Sequence, residues 1–273
     1  MMAATEKNLL IAAVSVLAIA TITDALLRYR QRSSTAATSI LIAAATLMLA
    51  LAITVRWVRE QQGPFLTLYD VLLSNLFSLG LICLIVYAVG PLLRVSTVVV
   101  LPFLVLVGLW LLSVPPDAVP LPATFDNSWL WLHVSSGKVF LGLCLVAAGS
   151  SALLLLDHFD LSGRHLRTNI QAGELDAAIW PVFALAFICH SFMLIAGAVW
   201  AYSAWGRYWA WDPLETSALV TWLAMGLLLH ARVTYRQMPL PISWVSVVAI
   251  FILAFLTFFG LPFSSLAPHK GLI

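Results

Sequence analysis

Trp205-Gly206-Arg207-Tyr208-Trp209-Ala210-Trp211-Asp212-Pro213-Leu214-Glu215 lies between two long apolar runs. Apolar flanks of that length make the neighbouring segments membrane helices, and the polar, aromatic stretch between them a loop at the membrane surface. Three tryptophans, a glycine, an arginine and two carboxylates are packed into it. Of the eleven tryptophans in the chain, five fall between Trp200 and Trp222. An interfacial anchor needs only one or two such rings. A cluster on one loop reads as a platform for a large planar ligand.

The flanking runs are typical of the whole chain. Of its 273 residues, 62% are hydrophobic and 10% charged, and the mean hydropathy is +1.00. Soluble domains carry about 25% charged residues, so a soluble globule is excluded and most of the surface must face a lipid bilayer. The net charge of +2 and the lack of a basic, aromatic-interleaved patch give no sign of a nucleic-acid partner. Cys83, Cys144 and Cys189 each stand alone in an apolar run, without CxxC or CxxCH spacing. They read as small buried hydrophobes, not as redox or metal-binding pairs.

Eight runs are long enough to span as helices: Leu9–Leu27, Ala37–Val55, Leu68–Val89, Val95–Leu112, Trp129–Leu156, Ala177–Ala201, Thr216–Val233 and Trp244–Leu261. None shows the period-2 alternation of a barrel strand. The expected fold class is therefore all-α, a polytopic bundle of about eight transmembrane helices. No linker divides it, so residues 1–273 are expected to form a single membrane domain, with residues 200–215 as a Trp-rich external loop. The first run has no convincing small-residue cleavage site and is expected to be a retained helix.

Basic residues set the orientation. The connections after spans one, three, five and seven hold Arg28, Arg30, Arg32, Arg94, Arg164, Arg167, Arg232 and Arg236. The remaining connections and the termini hold Lys7, Arg56, Arg59, Arg207 and Lys270. The larger group belongs in the cytoplasm. The expectation is a multi-pass protein of the cytoplasmic (inner) membrane, with both termini and the Trp-rich loop on the external, periplasmic side.

That topology puts His133, near the outer end of span five, and His269, beyond span eight, on the same side as the Trp-rich loop. Two imidazoles can supply both axial ligands of a haem iron. Trp205, Trp209 and Trp211 can pack on a porphyrin face, and Arg207 can meet a propionate. The alternative for any one such histidine is an ordinary interfacial polar residue. His230 lies about 22 Å along a helix from Glu215, near the inner end of span seven. An ionisable residue there marks a functional path or snorkels beside Arg232. His190, mid-span beside Ser191, is expected to hydrogen-bond a neighbouring helix. His158 and His165 are expected in solvent. Asp212, Pro213 and Glu215 also read as the N-cap, first residue and third residue of a helix, a structural role that leaves the catalytic residues unknown.

The pattern WGxYWxWDPxE resembles the WWD signature of the haem-handling proteins of cytochrome c biogenesis, with the CcsA (ResC) family of the System II pathway as the best match. Gly197-Ala198-Val199-Trp200-Ala201 is similar to that family's lead-in. Thr221-Trp222-Leu223 and Leu229-His230-Ala231-Arg232 are similar to its following helix, Trp131-Leu132-His133-Val134-Ser135 to the segment with the first external histidine, and Leu68-Tyr69-Asp70 to an early Leu-Tyr-Glu. The chain departs from the family at Tyr202-Ser203, where Asn-Glu is usual, and at Pro268-His269-Lys270-Gly271.

The resemblance implies a haem-handling role for this region. His133 and His269 correspond to the external ligands of haem b iron, and His230 corresponds to a transmembrane, transit ligand. Trp200, Trp205, Tyr208, Trp209, Trp211, Arg207 and Asp212 fall in the haem-binding region. It further implies a subunit of a membrane holocytochrome c synthase (haem lyase) complex, with a CcsB (ResB)-like membrane protein, apocytochrome c and a thioredoxin-like thiol-reducing protein as partners. The alternatives are a CcmC-like haem chaperone, a HemX-like regulator of haem synthesis, and, from a different class, a transporter of another solute. A transporter would need charged or broken spans near the midplane, and the charges within spans are few.

Overall fold

The protein is described from a computed structural model, covering residues 2–30, 35–63, 66–161, 171–235 and 239–260. Arg32, Arg164, His165, Arg167, Arg236, His269 and Lys270 lie outside the described residues. Among the described residues there are eight helices long and apolar enough to cross a membrane, and no strand. They are α1 (Met2–Tyr29), α2 (Thr35–Glu60), α3 (Leu68–Val89), α4 (Thr97–Ser113), α5 (Ser128–His158), α6 (Ala172–Trp205), α7 (Pro213–Thr234) and α8 (Leu240–Phe259). The multi-pass α-helical membrane fold read from composition is the fold observed. The element ends differ, because helices run on past the hydrocarbon core; α6 carries helical geometry to Trp205, the first residue of the motif. Pro102 and Pro181 stand inside α4 and α6. Membrane helices tolerate proline where neighbours take up the freed carbonyl.

The chain packs as two compact units, residues 1–119 with 156–175, and residues 120–155 with 176–273. In the first, α1 packs on α2 and α4, and α3 packs on α2 and α4. Lipid tails are as apolar as the helices, so association rests on close packing. Ala13, Ala20, Ala45 and Ala52 are fully buried, which lets the α1 and α2 backbones approach.

Buried charges in this unit are mutually paired. Arg56 bonds Asp70, lies 3.7 Å from Glu6, and sits 4.7 Å over the Tyr69 ring. Its Nη2 donates to the Asp117 carbonyl at 2.7 Å, which ties down the connection after α4. Asp70 also completes a capping box with Thr67 at the start of α3. At the other end of the unit, Arg28 joins Asp24 at 2.8 Å and the Arg94 carbonyl at 2.9 Å. These ions are sequestered in the protein, as charges in a lipid environment must be.

In the second unit, Asp176 ties three helices together at the end of α6 remote from the Trp-rich loop. It bonds Arg232 of α7, accepts from Trp244 Nε1 of α8 at 2.8 Å, and accepts from Trp180 Nε1 at 3.4 Å. Farther along, Trp222 Nε1 donates to Ser191 Oγ at 2.8 Å, and its ring stacks on Phe187, joining α7 to α6.

Candidate functional site

The Trp-rich loop is fixed at both ends by its own motif. Gly206, in the left-handed region at φ 73°, closes α6, and its N–H donates to the Tyr202 carbonyl at 2.8 Å. Glycine takes this conformation without a Cβ clash. Asp212 opens α7 as N-cap, accepting from the Leu214 and Glu215 N–H groups at 2.8 and 2.9 Å. The capping reading of the motif therefore holds for Asp212. Glu215 goes further than a capping box, because its carboxylate reaches back to the Ala210 N–H at 2.6 Å. That bond clamps the middle of the loop against the helix it precedes.

Between these anchors Trp211 adopts φ 61°, a left-handed conformation that costs a non-glycine residue about 1–2 kcal/mol. The residue is 72% exposed, and its ring meets Trp209 edge-on at 5.8 Å. Tyr202 and Tyr208 stack at 4.4 Å, both exposed.

Beneath the loop is a cavity of about 220 Å³, lined by His133 of α5, Met193, Gly197, Trp200 and Trp205 of α6, Tyr208 and Trp209 of the loop, Glu215 of α7 and Phe258 of α8. Ligand pockets commonly enclose about 300–1,000 Å³, so the space bordered by the described residues is smaller than a porphyrin-sized molecule needs. Trp200 is the hub of the wall. It is 8% exposed, and its Nε1 donates to the Thr124 carbonyl at 2.9 Å. Phe125 and Trp205 meet its ring edge-on at 5.5 and 5.0 Å, and the His133 ring lies parallel to it at 6.4 Å.

His133 Nδ1 is 2.8 Å from the Met193 carbonyl oxygen. A carbonyl only accepts, so the proton resides on Nδ1 and the lone pair on Nε2. This is the arrangement of metal-binding histidines, whose second nitrogen is committed to a carbonyl or carboxylate. Trp209 Nε1 is buried without a partner, and an orphaned donor beside a cavity calls for an acceptor on whatever fills it. A free imidazole nitrogen, an unsatisfied N–H and a wall of indole and phenol rings fit a haem.

The cavity thus brings together His133, Trp200, Trp205, Tyr208 and Trp209. Trp211 and the exposed Arg207 lie on the loop but do not line it. Asp212 acts through the backbone. His230 is exposed on α7, 3.4 Å from Thr234 Oγ1, and does not line this cavity. His190 departs from expectation: it is 1% exposed, stacks on Phe140 at 4.1 Å, and neither ring nitrogen has a hydrogen-bond partner. The helix facing it there offers a phenyl ring where a polar group was expected. Met193, Gly197 and Phe258 line the cavity with no signal in the sequence that marks them. Gly197 was visible only as part of a motif lead-in, and nothing in its local sequence says that a histidine 64 positions away lies on it.

The family described as Cytochrome C assembly protein matches residues 2–269. The chain is 31% identical over 215 residues to the cytochrome c biogenesis protein CcsA of Guillardia theta, a match covering 69% of this chain and 71% of that one. It is 25% identical over 271 residues to CcsA of Prochlorococcus marinus, covering 88% and 85%. Against CcsA of Chlamydomonas reinhardtii it is 29% identical over 207 residues, and it spans 57% of that longer relative. Among solved structures, cytochrome c heme lyase CcmF shares the fold with a TM-score of 0.68 at 18% identity. That match covers 93% of this chain and 46% of CcmF.

Proposed function

We propose that this chain, which belongs to the cytochrome c assembly protein family, holds haem b on the external face of the cytoplasmic membrane and presents it to the CxxCH cysteines of apocytochrome c. A haem-handling role in cytochrome c biogenesis goes with that membership. One observation carries the proposal: His133 Nδ1 is committed to the Met193 carbonyl at 2.8 Å, which leaves Nε2 free beside an aromatic-lined cavity.

Haem is the cargo in this reading. His133 Nε2 supplies one axial nitrogen and His269, outside the described residues, the other. Trp200, Trp205, Tyr208 and Trp209 border the macrocycle, and the Trp209 N–H meets a polar edge. Trp211 and Arg207 extend the surface outward, where Arg207 meets a propionate. Attachment adds a cysteine S–H across each haem vinyl group, so nothing leaves. The chain contributes positioning and redox control more than general acid-base groups. His230, exposed on α7 at the opposite end of the unit, fits a transit ligand completed by a CcsB (ResB)-like partner. A thioredoxin-like protein keeps the acceptor cysteines reduced.

Coexpression with a CcsB-like partner and a reporter apocytochrome c tests this reading. Covalent haem on the reporter, lost when His133 is changed to Ala, is the expected result. Haem bound to this chain with no covalent product in the presence of the partner would favour a chaperone. A reporter domain fused after Lys270 should be active only when exported, and cytoplasmic activity would reverse the assigned faces.

A further inference from the structure

The α5–α6 seam contains a close approach that the histidine-and-tryptophan motif does not account for. An ideal Cβ on Gly197 would stand 2.6 Å from His133 Nδ1 and 2.8 Å from Cε1. No side chain, not even a methyl group, fits between the α6 backbone and the imidazole. The same helix, one turn away, provides the Met193 carbonyl that accepts the Nδ1 proton at 2.8 Å. Trp200, one turn the other way, lies parallel to the His133 ring with an interplanar angle of 18°.

We propose that Gly197 and the Met193 carbonyl are positioning residues: the bare backbone of α6 seats the His133 ring, fixes its tautomer and aims Nε2 at the haem iron. The inference rests on His133 being an iron ligand, and it adds what makes it one. An imidazole on a helix otherwise chooses among rotamers and two tautomers. Only the tautomer protonated on Nδ1 offers Nε2 for coordination. The accepting carbonyl also raises the basicity of the ligating nitrogen. Because the acceptor is backbone, no side-chain substitution at Met193 can remove it, and Gly197 is the point at which the device can be disturbed.

The test compares Gly197→Ala, His133→Ala and the double variant, each purified in detergent as the full chain with its partner. Gly226→Ala is the control, since its Cβ would make only an ordinary 3.5 Å contact with Phe187. Haem per protein in Gly197→Ala should fall to the level of His133→Ala, although the histidine is intact. Any haem that remains should show a raised midpoint potential, because the displaced imidazole loses its acceptor and stabilises ferric iron less. Gly226→Ala should match the parent in both readouts.

If Gly197→Ala accumulates poorly, the double variant decides. Removing the ring removes the clash, so the double variant should accumulate as well as His133→Ala alone. Wild-type haem content and potential in Gly197→Ala, while His133→Ala loses haem, would overturn this inference and leave the ligand assignment standing. A double variant as scarce as Gly197→Ala would also overturn it. Unchanged haem in His133→Ala itself would remove the ligand assignment, and this inference with it.

Discussion

The His133 ring lies against Gly197 so closely that a Cβ at residue 197 would come within 2.6 Å of Nδ1. The contact is the first step of an antiparallel ladder between α5 and α6. At the next step Met193 Sδ would lie 2.9 Å from a Cβ on Gly137, and at the third Phe140 stacks on His190 at 4.1 Å. Two of the three steps set a bulky side chain on a glycine, the small-residue packing by which helices associate in lipid. The site's geometry follows from a packing rule as much as from its chemistry.

The loop anchors should be separable from the ligands. Asp212→Ala removes the acceptor for two N–H groups at the start of α7 and should cost about 0.5–2 kcal/mol. Thermal unfolding in detergent should show a lowered midpoint, with haem content falling because the loop sags. An unchanged midpoint and haem content would show that α7 does not need this cap.

The Arg56–Asp70 pair is fully buried. Asp70→Ala should strip Arg56 of its nearest countercharge and the α3 cap of its box, at a cost of about 3–5 kcal/mol for a broken buried pair. Loss of accumulation is the expected outcome. Asp70→Leu combined with Arg56→Met should recover part of it, since the double variant removes both members of the pair and leaves Glu6 its 2.9 Å bridge to Arg59. If the double variant is no better than Asp70→Ala, the pairing is not what stabilises this unit.

His190 should behave in the opposite way. Both its nitrogens are buried without partners, and each unsatisfied polar group costs about 1–3 kcal/mol. His190→Leu should raise the melting midpoint and leave haem content unchanged. A fall in the midpoint would mean that the imidazole is paired in the working protein.

Trp209→Phe keeps a ring in the cavity wall and removes one N–H. If that N–H meets an acceptor on haem, affinity should fall about twofold to thirteenfold, the worth of one net hydrogen bond of about 0.5–1.5 kcal/mol. Haem titration of the apo-protein measures it, and equal affinity in the two proteins would assign Trp209 to packing alone.

Eight membrane helices could be read from the sequence because lipid imposes a length and an apolarity that few other environments demand. Asp212 as N-cap was equally legible, since capping depends on residues adjacent in sequence. The partnership of His133 with Met193 and Gly197 was not, because it joins positions about 60 apart through a tertiary contact. Nor was Glu215 bonding Ala210, since the usual box would have returned it to the N-cap residue. The orphaned His190 shows the same limit. A mid-span histidine is expected to find a polar neighbour, and which residue faces it is decided by the register of α5 on α6. Of the two buried carboxylate pairs in the first unit, Asp24 with Arg28 is a local i, i+4 contact, whereas Asp70 with Arg56 joins two helices.

Absorption and electron paramagnetic resonance spectra of the purified protein and of its His133→Ala variant decide whether His133 binds haem iron through Nε2. The parent should carry low-spin, six-coordinate iron with two nitrogen ligands. His133→Ala should lose haem or hold it as five-coordinate, high-spin iron, and added imidazole should fill the vacated position and restore the low-spin signal. Unchanged low-spin iron in the variant, at wild-type haem content, would show that His133 is not a ligand.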